Sequence, residues 1–267
     1  MMKAIKWILK GLLTLVVALG LLVASYVFWF SGSSHEPQNI LARSNYESPQ
    51  GNILVFGGTR ATGLGIVRQL VAKGEDVTVA VRATSDTREL EALGVTTVVA
   101  DALNAEEVRT AFQAGNFATV ISTLGTTRGD QAKRPDYIGN RNVIDAAVEA
   151  GTQRFIFITV VGAGDSYDAA PLPARNFLRE VITLKTQAED HLRASGLDYT
   201  IIRPGGLTDR QASGTAVLAE DPQAFSYIAR TDLANLAVEA LGNPATIGKT
   251  YAAYDPSRRT MWGMYSD

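Results

Sequence analysis

The sequence predicts an α/β protein, a doubly wound parallel sheet carried behind an N-terminal transmembrane helix. Three observations lead there. Residues 11–30 form an uncharged apolar run. From residue 52 onward, short apolar runs alternate with amphipathic stretches. The first of those runs enters a glycine-rich turn that opens a helix.

The apolar run reads GLLTLVVALGLLVASYVFWF. As a helix it is about 30 Å long, the thickness of a bilayer core. Lys3, Lys6 and Lys10 precede it, and Tyr26, Trp29 and Phe30 lie at its far end, as in an aromatic interface belt. A cleaved signal peptide is the competing reading, with Val23-Ala24-Ser25 as the cut site. The run is long for a signal and apolar residues follow that site directly, so an uncleaved anchor is favoured. The lysines ahead of the span, with only Arg43 close after it, place the following domain on the exported side. A cytosolic cofactor would place it on the other side, and the sequence leaves the side open.

Residues 31–50 are rich in polar residues with two prolines and no apolar period, which predicts a tether. The expected division is an anchor at 1–30, a linker at 31–50 and one domain at 51–267. Expected strands cover 53–56, 77–81, 96–100, 119–122, 155–159 and 199–202. All are read as apolar on both faces, as buried parallel strands must be. Helical patterns at 63–72, 105–114, 140–150 and 177–194 lie between them. A βαβ alternation of this kind implies a doubly wound sheet with right-handed crossovers. After Arg203 the pattern turns irregular, with a helix at 231–241, a strand at 249–254 and room for a small substrate-side lobe.

Composition excludes several functions. With 25 Lys and Arg against 27 Asp and Glu, the net charge is −2, which argues against nucleic-acid binding. The chain has no cysteine, so disulfides, thiolate catalysis and cysteine–zinc sites are ruled out. Its two histidines, His35 in the linker and His191 in a polar helical stretch, are read as solvated, and no metal is expected. The expected partners are the membrane, through the N-terminal helix, and a small-molecule substrate of unknown identity.

The first strand runs into Gly57-Gly58-Thr59-Arg60-Ala61-Thr62-Gly63-Leu64-Gly65. The spacing is not G-x-G-x-x-G, but its place on the first βα unit is where a Rossmann-type dinucleotide site stands. Glycines let the backbone approach a diphosphate, and the helix start offers N–H groups and partial positive charge. An NAD site places Asp or Glu about 20 residues further on, for the ribose 2′-OH. Here the second strand ends in Arg82, and Arg60 in the loop is a second cation. Guanidiniums suit a 2′-phosphate, so the expected cofactor is NADP(H) ahead of NAD(H). Downstream, Asp101, with Ala102 beside it, can accept from the adenine amino group. Thr123, Leu124 and Gly125 follow the fourth strand and border the cofactor.

These pieces together resemble the atypical short-chain dehydrogenase/reductase families, the NmrA-like group and the biliverdin reductase B (flavin reductase) type. The motifs are VFGGTRATGLGIVRQL, VAVR, VVADALN, VISTLGTTR, NVIDAAVEAGTQRFIFITVVGAGDS, LKTQAEDHLRASGLDYTIIRPGGL and RTDLANLAVEAL, spanning roughly 52–254. The family loop reads G-A-T-G-x-T-G. Gly57, Thr59, Thr62 and Gly63 match it, and Arg60 replaces the middle glycine, as in related NADP(H) binders. The resemblance implies cofactor roles for Arg82, Asp101 and the turn 123–125, and places Arg203, Pro204, Gly205 and Gly206 beside the nicotinamide. Classical members use a Tyr-x-x-x-Lys pair. Lys185 matches the lysine, but Val181 stands at the tyrosine, and Thr159 or Val160 replaces the usual serine. Lys185 is then expected to bind and orient the cofactor ribose, with the substrate proton coming from water. Tyr137, Tyr167 and Arg128 are further candidates to face a substrate.

Two functions follow. One is an NADPH-dependent reductase of a small conjugated, quinone-like or flavin-like acceptor, with Lys185 and Thr159 at the reacting end. The other is a non-catalytic NADP(H)-binding sensor or assembly factor. A sugar-nucleotide epimerase or dehydratase ranks third, since it needs the tyrosine and a larger C-terminal domain.

Overall fold

The computed structural model describes residues 2–30, 35–49, 51–125 and 134–260. Helix α1, Met2–Phe30, carries an exposed apolar stretch, Ile5–Tyr26, with a mean hydropathy of 2.3. That length and apolarity suit a membrane span and equally a signal or transit segment.

Strands β1 (Asn52–Phe56), β2 (Val77–Val81), β3 (Thr96–Val99), β4 (Phe117–Ser122), β5 (Arg154–Ile158) and β6 (Asp198–Pro204) alternate with helices. The helices are α2 (Ala61–Ala72), α3 (Arg88–Ala92), α4 (Ala105–Gln113), α5 (Ile138–Glu149), α6 (Leu172–Phe177) and α7 (Arg179–Ala194). After β6 come β7 (Gly206–Thr208), β8 (Val217–Ala219), β9 (Tyr227–Ala229), α8 (Arg230–Leu241) and β10 (Lys249–Tyr254). The main sheet has the order β3-β2-β1-β4-β5-β6-β10-β8, parallel except for β8. The chain starts at the centre, runs outward to β3, and returns past β1 to β4. Neighbouring crossovers therefore diverge between β1 and β4, which opens a crevice above their C-terminal ends.

β1 shows how the sheet is held. Ile53 and Val55 pack into one core layer with α2 and α8, while Leu54 and Phe56 pack into the other with α4, α5 and α7. The main sheet and helices thus lie where the apolar runs and amphipathic stretches predict. Four features differ. β3 is an edge strand with mostly exposed side chains, Val99 among them, because no strand among the described residues pairs on its outer side. The helix expected at 177–194 is broken at Leu178, whose φ of −100° and ψ of 10° separate α6 from α7. The short elements β7, β8, β9 and α3 lack enough residues to show a period. β7 and β9 form a separate two-stranded sheet.

The fourth difference is the expected tether. Residues 35–49 lie along the domain. Ile40 bridges Ala219 of β8, and the Leu41 amide donates to the Leu218 carbonyl at 2.8 Å. Leu41 and Tyr46 pack on the core layer formed by α2 and α8, and the Tyr46 hydroxyl donates to Glu75 at 2.9 Å. His35, expected to be solvated, pairs with Asp221 at 2.7 Å, and His191 pairs with Asp145 at 2.6 Å. The strap shows no apolar period because it contributes single side chains to the core rather than a face.

Candidate cofactor site

A cleft of about 440 Å³ opens above the C-terminal ends of the parallel strands. Phe56, Val81, Ala100, Thr123, Ile158 and Pro204, each at or just past a strand end, form its floor.

The glycine loop makes one wall. Gly57 has a φ of +85°, and a Cβ there would stand 2.5 Å from Thr123 Oγ1. Thr123 braces the turn, its amide donating to the Phe56 carbonyl at 3.0 Å and its hydroxyl to the Gly57 carbonyl at 3.1 Å. A Cβ on Gly63 would lie 2.1 Å from the Gly57 carbonyl oxygen, so α2 begins directly against the turn. Ala61 holds a left-handed φ of 49°, local strain for an L-residue that the surrounding structure sustains. No side chain caps the start of α2. The Thr62 hydroxyl is buried and has no hydrogen-bond partner among the described residues. An orphan hydroxyl, two glycines stripped of side chains and an uncapped helix start fit an oxygen-rich anion such as a diphosphate.

Gly57, Thr59, Arg60, Thr62 and Gly63 line the cleft, but Gly58 does not. A Cβ on Gly58 would stand 2.7 Å from Val79 and 3.1 Å from Val67, so this glycine lets β1, β2 and α2 close on one another. Gly205 is a second departure. A Cβ there would lie 1.9 Å from the Ser226 carbonyl oxygen, so its close neighbour is the chain entering β9 rather than the cleft.

At one end of the cleft stand Arg82, Asp101, Ala102 and, unanticipated, Ser85 and Leu103. Both Arg60 and Arg82 are exposed. Ser85 Oγ accepts from the Arg82 amide at 3.2 Å. Asp101 holds its own turn, with Oδ1 accepting from the Leu103 amide at 3.0 Å.

At the other end stand Leu124, Gly125, Thr159, Val160, Val181, Lys185 and Pro204, joined by Asp136, Leu178 and Leu207. Lys185 is buried, donates to the carbonyls of Leu124 and Ile158, and lies 4.8 Å from the Phe157 ring centroid. Burial lowers its ammonium to about 8, against the opposing pull of Asp136 and Glu189. The Thr159 hydroxyl donates to Glu189 at 2.8 Å. Glu189 is fully buried and is clamped by Arg203 at 2.7 Å and Arg193 at 2.9 Å. Arg203 also reaches Asp165, and its carboxylate partners outweigh the burial that would otherwise lower its pKa. Arg203 therefore holds Thr159 in place through Glu189 and does not itself line the cleft. Tyr137 and Tyr167 do not line the cleft either, and Arg128 lies outside the described residues.

Arg230, at the start of α8, also lines the cleft. Its motif is visible in the sequence, but the fold alone brings it beside the glycine loop.

The lowered Lys185 implies a pH dependence. Between about pH 8 and the ordinary lysine value of 10.5, the unfolded chain binds more protons at this site than the folded one. The Lys185 contribution to stability therefore rises as pH rises through that window, by at most about 1.4 kcal/mol per pH unit. Denaturant titrations at pH 7.5 and 9.5 should show wild type gaining on Lys185→Met by about 1–2 kcal/mol. A constant difference between the two would show that Lys185 does not titrate there.

A family model described as NAD(P)H-binding matches residues 57–244. An uncharacterised chloroplastic protein of Arabidopsis thaliana is 30% identical over 201 residues, 71% of each chain. Photosystem II assembly factor Ycf39 of Synechocystis is 27% identical over 208 residues, 74% of this chain and 61% of that protein. Among solved structures, ChuY of Escherichia coli O157:H7, described as an anaerobilin reductase, superposes with a TM-score of 0.70 at 32% identity. That match covers 77% of this chain and 98% of ChuY.

Proposed function

The chain belongs to this NAD(P)H-binding family, an atypical short-chain dehydrogenase/reductase of the NmrA-like kind, and from that premise we propose a membrane-anchored NADPH-dependent reductase. Its acceptor is a small conjugated molecule, quinone-like or flavin-like. The observation that carries this reading is the reacting end of the cleft, where the buried Lys185 and the fixed Thr159 stand with Asp136 beside the apolar side chains of Val160, Leu178, Val181 and Leu207.

When bound, the dinucleotide supplies a hydride. The protein's part is to hold and shield. The loop from Gly57 to Gly63 and the start of α2 take the diphosphate, with the Thr62 hydroxyl gaining the partner it lacks. Arg60 and Arg82 take the 2′-phosphate, and the tip of β2 carries no acid to repel it. Lys185, anchored on two carbonyls, hydrogen-bonds the ribose hydroxyls. Val181 supplies no proton, so the acceptor must be one that water can protonate, which favours conjugated systems over simple ketones. α1 anchors the domain at the membrane.

A second reading, a non-catalytic NADP(H)-binding sensor or assembly factor, draws on the same Val181 and on the described role of Ycf39. The full-length chain in detergent separates the two. NADPH consumption with flavins and soluble quinones should exceed the protein-free rate, with NADPH preferred over NADH. Tight NADPH binding without turnover across that panel would favour the assembly or sensor role.

A further inference from the structure

Arg230 opens α8 and lines the cleft that holds the glycine loop. α8 lies against α2. A Cβ on Gly65 would stand 3.0 Å from the Ala234 Cβ. Gly65 is the fifth residue of α2 and Ala234 the fifth of α8. The two helices run the same way. α2 leaves the C-terminal end of β1, and α8 finishes where the Ala240 carbonyl accepts from Arg154, the first residue of β5. Matched fifth residues on parallel helices put the first residues level, so Arg230 stands beside Ala61 at the start of α2.

The surroundings point to an anion. The Thr62 hydroxyl next to Ala61 is more than nine-tenths buried and has no hydrogen-bond partner among the described residues. Neither helix start carries a side-chain cap. Arg230 pairs with Asp209 at 2.8 Å, but that carboxylate is 87% exposed. A surface pair of this kind contributes little and exchanges readily for a more strongly charged partner. α8 packs on β5 and β6, whereas Arg82 directly follows β2, on the far side of β1. The two arginines therefore flank the loop from opposite sides.

We propose that Arg230 is a further guanidinium of the cofactor site, one that binds the dinucleotide's diphosphate from the α8 side. The 2′-phosphate belongs to the opposite end of the cleft. This inference rests on the dinucleotide reading above and adds a consequence to it. The diphosphate is gripped jointly by the first βα unit and by the C-terminal lobe that shapes the acceptor end.

Calorimetry on the full-length chain in detergent, with NADPH, NADH and adenosine 2′-monophosphate, tests the proposal. Arg230→Gln should weaken NADPH and NADH alike, by about tenfold, and leave the monophosphate, which lacks a diphosphate, unchanged. Loss confined to NADPH would move Arg230 to the 2′-phosphate and overturn the assignment, as would unchanged binding of both dinucleotides. Asp209→Asn removes the competing carboxylate and should tighten both dinucleotides about twofold. If Arg230→Gln does not fold, that second variant decides, and no tightening would overturn the proposal. Wild type that binds neither dinucleotide would remove the parent reading. Wild-type binding with an indifferent Arg230→Gln would remove only this one.

Discussion

Gly63→Ala should weaken dinucleotide binding at least about 100-fold and lower the stability of the domain by about 1–3 kcal/mol. The added methyl would stand 2.1 Å from the Gly57 carbonyl oxygen and 2.8 Å from Thr123 Oγ1. The first obstacle is backbone, so no rotamer change relieves it. Either the start of α2 moves away from the turn or the turn after β1 opens. Both break the cradle on which the diphosphate rests, and a shift of about 1 Å in such a site is enough for a loss of this size. The Thr123 brace makes the turn stiff and sharpens the effect. Calorimetry with NADPH, alongside a denaturant titration, checks it. Wild-type affinity in a folded Gly63→Ala chain would show that the ligand does not approach this backbone.

Arg82→Glu should reverse the choice of cofactor. NADPH affinity is expected to fall about 100-fold while NADH changes within about threefold. The substitution removes charge-assisted hydrogen bonds to a phosphate, worth about 1.5–3 kcal/mol, and adds a like charge in their place. For NADH, glutamate at the tip of β2 instead meets a ribose 2′-OH that it can bond. Arg82 is exposed, and it meets Ser85 through its backbone amide and carbonyl, so the local turn does not depend on the side chain. Equal losses for the two dinucleotides would place the 2′-phosphate elsewhere.

The strands that were easiest to read, NILVF and VTVAV, are buried on both faces, so their apolar character reports the fold directly. TTVV looks similar, yet β3 lies at the sheet edge, because position in a sheet is set by neighbours far along the chain. Glycines in the loop announced a close approach without saying by what. At Gly57 and Gly63 the loop folds on itself beneath the cleft, whereas at Gly58 the approaching atoms are valines of the core. Lys185 and Thr159 lay within recognisable motifs, but the Glu189–Arg203 clamp that fixes Thr159 joins residues from α7 and β6. Arg230 escaped for the same reason, since only the packing of α8 on α2 carries it to the loop. The strap at 35–49 was invisible because hydrogen bonds to a strand edge leave no periodic trace.

That strap closes something the main sheet leaves open. β8 is the outermost strand on its side, and its outer edge would offer unpaired amides and carbonyls to any passing chain. Ile40 and Leu41 occupy part of that edge, and Asn39 takes the Glu220 amide at 3.1 Å. A protein cut back to the first strand would expose this border together with the patch beneath Leu41 and Tyr46, inviting strand-to-strand aggregation. Any version of the protein trimmed of α1 therefore has to begin upstream of His35.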